Sequence, residues 1–322
     1  MRRYFIMADV VCLGILVADA VARPVREIPA KGKLVLVDDL QLSSGGCATN
    51  TGNALGKLSI DTGIIGKVGQ DGFGDFLINT ISSFGVNTEG IKRDPSTNTS
   101  ATLVMVDEDG ERSFIHYIGA NAEFTEDDVD FSLIEGSKIL HIAGAFLLPK
   151  FDGEPMARVM KRAKDMGILT SLDTAWDSSN RWMKTIEPCL KYTDAFLPSI
   201  EEAKMIVGEE EPSKIADKFL SYGIKVVGLK MGAEGCYIKT KDEEFTIPAF
   251  KVKAVDATGA GDSFVAGFLA GLVKGWKLRD CAVLANAVGA SSVSAIGAST
   301  GILSWEETIA FIRSQGENVC ED

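Results

Sequence analysis

The sequence is poor in positive charge. Its 33 lysines and arginines face 45 aspartates and glutamates, a net charge of −12, and no Lys/Arg-rich run appears. Proteins that grip a nucleic-acid backbone carry such a patch, so no nucleic-acid partner is expected. Any phosphate the chain handles must be held locally, by backbone amides, a metal ion or a few cations. Histidine is scarcer still. His116 and His141 stand alone, too few for a zinc site, and both read as structural. The six cysteines, Cys12, Cys47, Cys189, Cys236, Cys281 and Cys320, contain no C-x-x-C pair. A chain of 322 residues needs no disulfide framework, so reduced thiols and a cytoplasmic setting are expected. Long apolar runs are missing too. The stretch MRRYFIMADVVCLGILVADAVA has the outline of a signal peptide, with Arg2 and Arg3 ahead of apolar residues. Asp9 interrupts it, and the uncharged run from Val10 to Ala18 is too short to span a bilayer. A buried first strand, VVCLGILV, accounts for it better and puts Asp19 at its C-terminal edge. Neither G-x-x-x-x-G-K-[ST] nor a post-strand G-x-G-x-x-G is present.

What is present is an alternation of short β-rich runs with helical patterns. ATNTGNALGKL, FGDFLINTISSFG, PMARVMKRAKDMG, IEEAKMIVG and KIADKFLSYG read as helices. DTGIIGKVG, SKILHIAGA, ILTSLDTA, DAFLPS and IKVVGLKMG read as strands. That order implies an α/β fold with a mostly parallel sheet and helices on both faces, in one domain over residues 1–322. Residues 20–42 and 97–118 break the order. The second contains an alternating strand, a DEDG turn and RSFIHYI, a hairpin. Both inserts follow strand ends where ligands bind in α/β folds. They read as lid strands that exclude water from a site, in preference to an edge extension.

The strongest motif is VDATGAGDSFVAGFLAGL, residues 255–272. Glycine-rich residues precede an apolar helix, so their amides lie at a helix N-terminus, where unpaired N–H groups favour an anion. Asp262 among those donors is either a first-turn cap or a general base for a hydroxyl attacking phosphorus. A second motif, SSGGCATNTGNALGKL, opens a helix with Gly45 and Gly46 and carries Asn50 and Asn53. It suits close backbone approach to a ligand and hydrogen bonding to sugar hydroxyls; a small-residue helix packed on a sheet reads as well.

Together these motifs resemble the ribokinase-like, or PfkB, family of sugar kinases over nearly the whole chain. The family's D-T-x-G-A-G-D-x-F pattern falls on Asp256 to Phe264, and its G-G-x-x-x-N pattern on Gly45, Gly46 and Asn50. GQDGFGDFL (69–77) and GLKMGAEGCYI (228–238) also resemble family segments. The resemblance implies a three-layer α/β/α sandwich with a small β-sheet lid. It implies ATP-dependent phosphorylation of a hydroxyl on a small sugar or sugar acid. A nucleoside kinase and a catalytically silent sugar sensor are the alternatives. By resemblance Asp262 is the base, and the amides of Gly259, Ala260 and Gly261 are the anion hole. Asp19, Gly45, Gly46 and Asn50 hold the sugar. Lys230, Gly232, Gly235 and Asn286 fall where ATP binds, and ATP brings magnesium. Asp256 and Thr258 match a monovalent-cation site, completed by carbonyls of 294–299 in members activated by potassium. The family's N-x-x-E pair reads Ser199-x-x-Glu202 here, with Glu202 reaching magnesium through water. The loop LDTAWDSSNRWM offers Asp173, Trp176, Asp177 and Arg181 as a pocket border or as packing. His116 and Tyr117 lie on the lid. A homodimer through the lid is expected, and no membrane partner.

Overall fold

The computed structural model describes residues 8–320. Strand β1 (Val10–Gly14) is wholly buried. Val10 and Cys12 feed one core and Val11 and Leu13 the other. A strand covered on both faces needs such a continuous apolar run. The remaining strands are β2 (Val17–Arg23), β3 (Asp39–Gly45), β4 (Thr62–Gly69), β5 (Asn87–Asp94), β6 (Ala101–Val106), β7 (Arg112–Tyr117), β8 (Ile139–Ala145), β9 (Leu169–Thr174), β10 (Ala195–Phe196), β11 (Val226–Lys230), β12 (Cys236–Lys239) and β13 (Glu244–Ile247). The helices are α1 (Cys47–Lys57), α2 (Gly72–Ser83), α3 (Glu154–Asp165), α4 (Met183–Leu190), α5 (Ile200–Val207), α6 (Pro212–Leu220), α7 (Ala260–Val273), α8 (Leu278–Ser292) and α9 (Trp305–Ser314).

Among the described residues, nine strands form one sheet in the order β13-β12-β11-β10-β9-β8-β1-β4-β5. Pairing is parallel from β11 to β5, and only the β11–β12 and β12–β13 pairs are antiparallel. Helices α1, α2, α7, α8 and α9 contribute to one apolar cluster, and α3 to α6 to the other. The result is the expected three layers, helix, sheet, helix. The polar strand β5 escapes a sequence reading because it is an edge, half exposed along its length.

A second sheet has the order β3-β2-β6-β7. Only its β2–β6 pair is parallel. Side chains alternate across it. Asp19, Val21, Gln41, Thr102, Val104 and Phe114 line a cleft on one face. Leu40, Leu42, Leu103, Ile115 and Tyr117 are exposed and belong to the alternate registers.

Two expected strands need correction. VVCLGILV is not one strand: β1 stops at Gly14 and the chain enters the second sheet at Val17. A Cβ at Gly14 would clash with the Ala143 carbonyl. The junction is bracketed by Asn121, whose carboxamide accepts from the Leu16 N–H (3.2 Å) and donates to the Leu16 carbonyl (3.0 Å). Asp19 is therefore the third residue of β2, not the end of β1. DAFLPS shrinks to Ala195–Phe196. Pro198 has no N–H for a ladder, and Ser199 already caps α5.

Candidate active site

The site is organised by the start of α7. Gly259 is its N-cap at φ 73°, and a Cβ there would lie 2.6 Å from the Ala298 Cβ. Only glycine fits a left-handed position packed that closely. The Ala260 amide turns back onto the Ala257 carbonyl at 3.2 Å. Gly261 and Asp262 follow in the first turn, where helix amides have no partner within the helix. From Ser263 to Gly271 the helix is buried, which fixes its N-terminus against the body of the protein.

Asp262 lies half-buried at the floor of the cleft. Asn50 of α1 donates Nδ2–H to its Oδ2 at 2.8 Å. That bond joins two motifs 212 positions apart. Burial pushes the Asp262 carboxyl above the ordinary carboxylate range, against the opposing pull of Asn50, Lys230 and the Cys47 side chain. Cys47 opens α1 and was not singled out from sequence; its own thiol is pushed far up by burial and then by Asp262.

At the β2–β3 end of the cleft, Gly45 and Asp19 form a unit. A Cβ on Gly45 would clash with the Asp19 carboxylate. Gly46, at φ 92°, passes within 2.5 Å (Cβ position) of the Ile15 carbonyl. Burial raises the Asp19 carboxyl to about 6, with the Thr102 hydroxyl opposing. Asp19, Gly46, Asn50 and Asp262 border one cleft of about 490 Å³ between the second sheet and the starts of α1 and α7.

Lys230, Gly232, Gly235 and Asn286 are not on that cleft. A Cβ at Gly261 would be 3.3 Å from the Lys230 ammonium. Lys230 bonds both carboxylate oxygens of Asp173 at 2.7 Å. Burial works against its charge, but Asp173, Glu202 and Asp262 hold it protonated. Gly232 is exposed, whereas Gly235, at φ 97°, packs under the Ile247 carbonyl. Asn286 donates to the carbonyls of Ile247 and Pro248 (3.0 and 3.1 Å). These two residues shape the frame at the end of β13.

Ser199 and Glu202 form a reciprocal capping box on α5. The Glu202 Oε2 accepts from the Ser199 N–H (3.1 Å) and the Thr174 hydroxyl (2.9 Å). Glu202 still acts electrostatically on Asp262, Asp173 and Lys230. Among the described residues no group of three His, Cys, Asp or Glu gathers to cage a metal. A magnesium ion that arrives on nucleotide phosphates needs only one or two carboxylates and keeps several waters; Glu202, a hard oxygen donor beside Lys230, fits that need.

Asp256 and Thr258 are engaged. The Asp256 carboxylate accepts from the Thr258 amide (2.7 Å), the Gly297 amide (3.0 Å) and the Arg112 guanidinium (2.6 Å). Arg112 also bonds the Thr258 hydroxyl. Burial would raise the Asp256 carboxyl, yet these donors hold it below its ordinary value. Arg112 carries no signal in the sequence, because an arginine after a hairpin turn reads as a solvated charge.

The weaker candidates divide. His116 faces the cleft, its Nδ1 3.1 Å from the Thr102 hydroxyl, while Tyr117, its neighbour on β7, faces away. His141 is buried against Ser171 and driven down to about 3 by burial. Asp173 joins the site through Lys230. Asp177 instead accepts from the amides of Ser179, Arg181 and Trp182 in its own loop, and Trp176 packs edge-on against Trp182. No helix among the described residues is long and apolar enough to cross a membrane.

Comparison with known proteins gives the same outline. The family model described as pfkB family carbohydrate kinase matches residues 7–305. An uncharacterized sugar kinase of Archaeoglobus fulgidus is 33% identical over 248 residues, 77% of this chain and 97% of that protein. The probable chloroplastic fructokinase-6 of Arabidopsis thaliana is 31% identical, covering 90% of this chain and 78% of its own. The crystal structure of a ribokinase from Thermotoga maritima superposes with a TM-score of 0.83 at 28% identity, over 95% of this chain and 99% of that one.

Proposed function

The chain belongs to the pfkB family of carbohydrate kinases, and from that premise we propose that it moves the γ-phosphoryl group of ATP to a hydroxyl of a small uncharged sugar. The observation that carries this reading is the Asn50–Asp262 bond. It sets a carboxylate of raised proton affinity at a helix N-terminus, on the border between the cleft and a nearly buried lysine. The substrate hydroxyl gives its proton to Asp262 as its oxygen forms a bond to the γ-phosphorus. The bond from that phosphorus to the β,γ-bridging oxygen breaks, and ADP leaves. First-turn amides of α7, with those of Gly259 and Gly261, stabilise the equatorial oxygens, the Ala260 amide being turned onto Ala257, and Lys230 adds its charge from the nucleotide side. Magnesium would neutralise phosphate charge, with Glu202 near it.

The cleft argues against a sugar acid. Its carboxylates are Asp19, Asp39, Asp256 and Asp262; the cations lining it among the described residues are Arg23 and Arg112. Arg23 is bonded to Asp39 (2.8 Å) and Arg112 to Asp256 (2.6 Å). A substrate carboxylate would enter beside Asp19 and Asp262 with no uncommitted cation to meet it. A second reading, a nucleoside, is favoured by one feature. Val21, Val104, Val106 and Phe114 give the lid side of the cleft an apolar wall suited to a base.

We read the whole chain as one kinase domain whose second sheet closes as a lid over the sugar. The exposed Leu40, Leu42, Leu103, Ile115 and Tyr117 on its outer face suit a second copy of the chain; sedimentation of Ile115→Glu as a monomer against a wild-type dimer checks this. The buried thiols of Cys12, Cys189 and Cys236 suit the reducing cytoplasm. The test of activity is ADP release with ATP and magnesium across ribose, fructose, 2-keto-3-deoxygluconate and adenosine. Turnover with a neutral sugar supports the first reading and turnover with adenosine the second. ATP binding with no turnover on any of them supports a silent sensor.

A further inference from the structure

Arg112 opens β7 directly after a tight turn. In that turn the Asp107 carboxylate accepts from the Asp109 and Glu111 amides at 2.9 Å, and Gly110 is left-handed at φ 86°. The turn aims Arg112 across the cleft. Its guanidinium reaches residues 144 and 146 positions away, Asp256 and Thr258, on the loop that leads into α7. The Asp256 carboxylate is nearly buried beneath it, and the Arg112 side chain itself is about three-quarters covered. The same carboxylate bonds the Gly297 amide, so one anion ties together the lid, the α7 loop and the 294–299 loop.

A monovalent cation at this place would share Asp256 and Thr258 with a guanidinium. Both groups already bond Arg112, and a second positive charge would lie beside the first. The residues present do not fit that ion. We infer that Arg112 is the fixed cation of the 256–259 loop: the lid carries it, and lid closure, rather than a bound potassium ion, sets the loop that presents the first-turn amides of α7. The inference rests on the kinase reading for its consequence but not for its geometry. Arg112 is a positioning residue. It touches the loop, and the loop holds the transferring group. A substrate that lets the lid close thereby completes the phosphate site, and one that props the lid open leaves the loop without its cation.

The test compares wild type, Arg112→Ala and Arg112→Lys. Turnover is measured while potassium chloride replaces choline chloride at constant ionic strength. Amide hydrogen exchange at Thr258 and Gly297 is read in parallel. Wild-type turnover is expected to be flat across the series. Arg112→Ala should lose kcat by about ten- to a hundredfold, less than the loss of a whole oxyanion donor, with a smaller change in KM. Its Thr258 and Gly297 amides should exchange faster, and potassium should restore part of both. Arg112→Lys, which keeps the charge, should fall between the two. Strong potassium activation of wild type would overturn the inference. So would an Arg112→Ala protein with unchanged exchange and unchanged kcat. If Arg112→Ala melts far below wild type, Arg112→Gln is read in its place with the same criteria. If no substrate turns over at all, the kinase reading fails, and the exchange data alone decide whether Arg112 holds the loop.

Discussion

The floor and the roof of the cleft are built on opposite terms. The floor is the starts of α1 and α7, half-buried ends of helices that run into the core, with its shape set by backbone at Gly46 and Gly259. The roof is a four-stranded sheet with an exposed apolar outer face and an inner face chosen residue by residue through strand alternation. Phosphoryl transfer demands fixed geometry, and the floor supplies it. Substrate choice and closure demand a surface that can move and vary, which is the role we propose for the roof. The difference teaches where to cut. Changes to the floor's backbone or to Asp262 should abolish chemistry, and changes in the roof should redistribute it among substrates.

The largest effect short of removing the base is expected at the joint between the two. Gly45→Ala places a methyl where the Asp19 carboxylate lies. Displacing Asp19 should cost on the order of 1–3 kcal/mol, as overpacking does, and lower kcat/KM for the sugar while ATP binding, measured by calorimetry, stays unchanged. Next comes the roof alone. Phe114→Ala removes apolar wall without touching Asp262. It should leave kcat within a few-fold and shift the ratio of kcat/KM between neutral sugars and nucleosides by about 1–3 kcal/mol. A fall in kcat equal to the fall in kcat/KM would break the division between floor and roof. The smallest effect is on the pH profile. Asp262 works as a base only when ionised, so kcat/KM should fall as pH drops through its raised value. The Cys47 side chain opposes that rise. Cys47→Ala should therefore move the acid limb to higher pH, with the plateau rate unchanged.

The same division explains what a sequence can disclose. The α7 motif is legible because glycine run, carboxylate and helix start are adjacent in the chain. Its partner Asn50 is also in a recognisable pattern, but their bond spans 212 positions and only the fold brings them together. GILV hides the passage from β1 to β2, since both sides of it are apolar and the bracket comes from Asn121, 105 residues on. Ser199-x-x-Glu202 carries an ordinary capping-box spacing beneath its resemblance to a magnesium motif, and the structure uses it as a cap. Arg112 gives no local signal at all. Its role exists only when lid and floor meet, and the hairpin alone says nothing about what faces it.

The most direct test of the central claim is single-turnover phosphoryl transfer by Asp262→Asn, with ATP and sugar binding measured on the same preparation. The substitution keeps the shape and the first turn of α7 but removes the proton acceptor. The account predicts ligand binding close to wild type and transfer slower by about 10²–10⁴, the contribution of a general base. Transfer within a few-fold of wild type would contradict it, and would reduce Asp262 to a cap on the helix it begins.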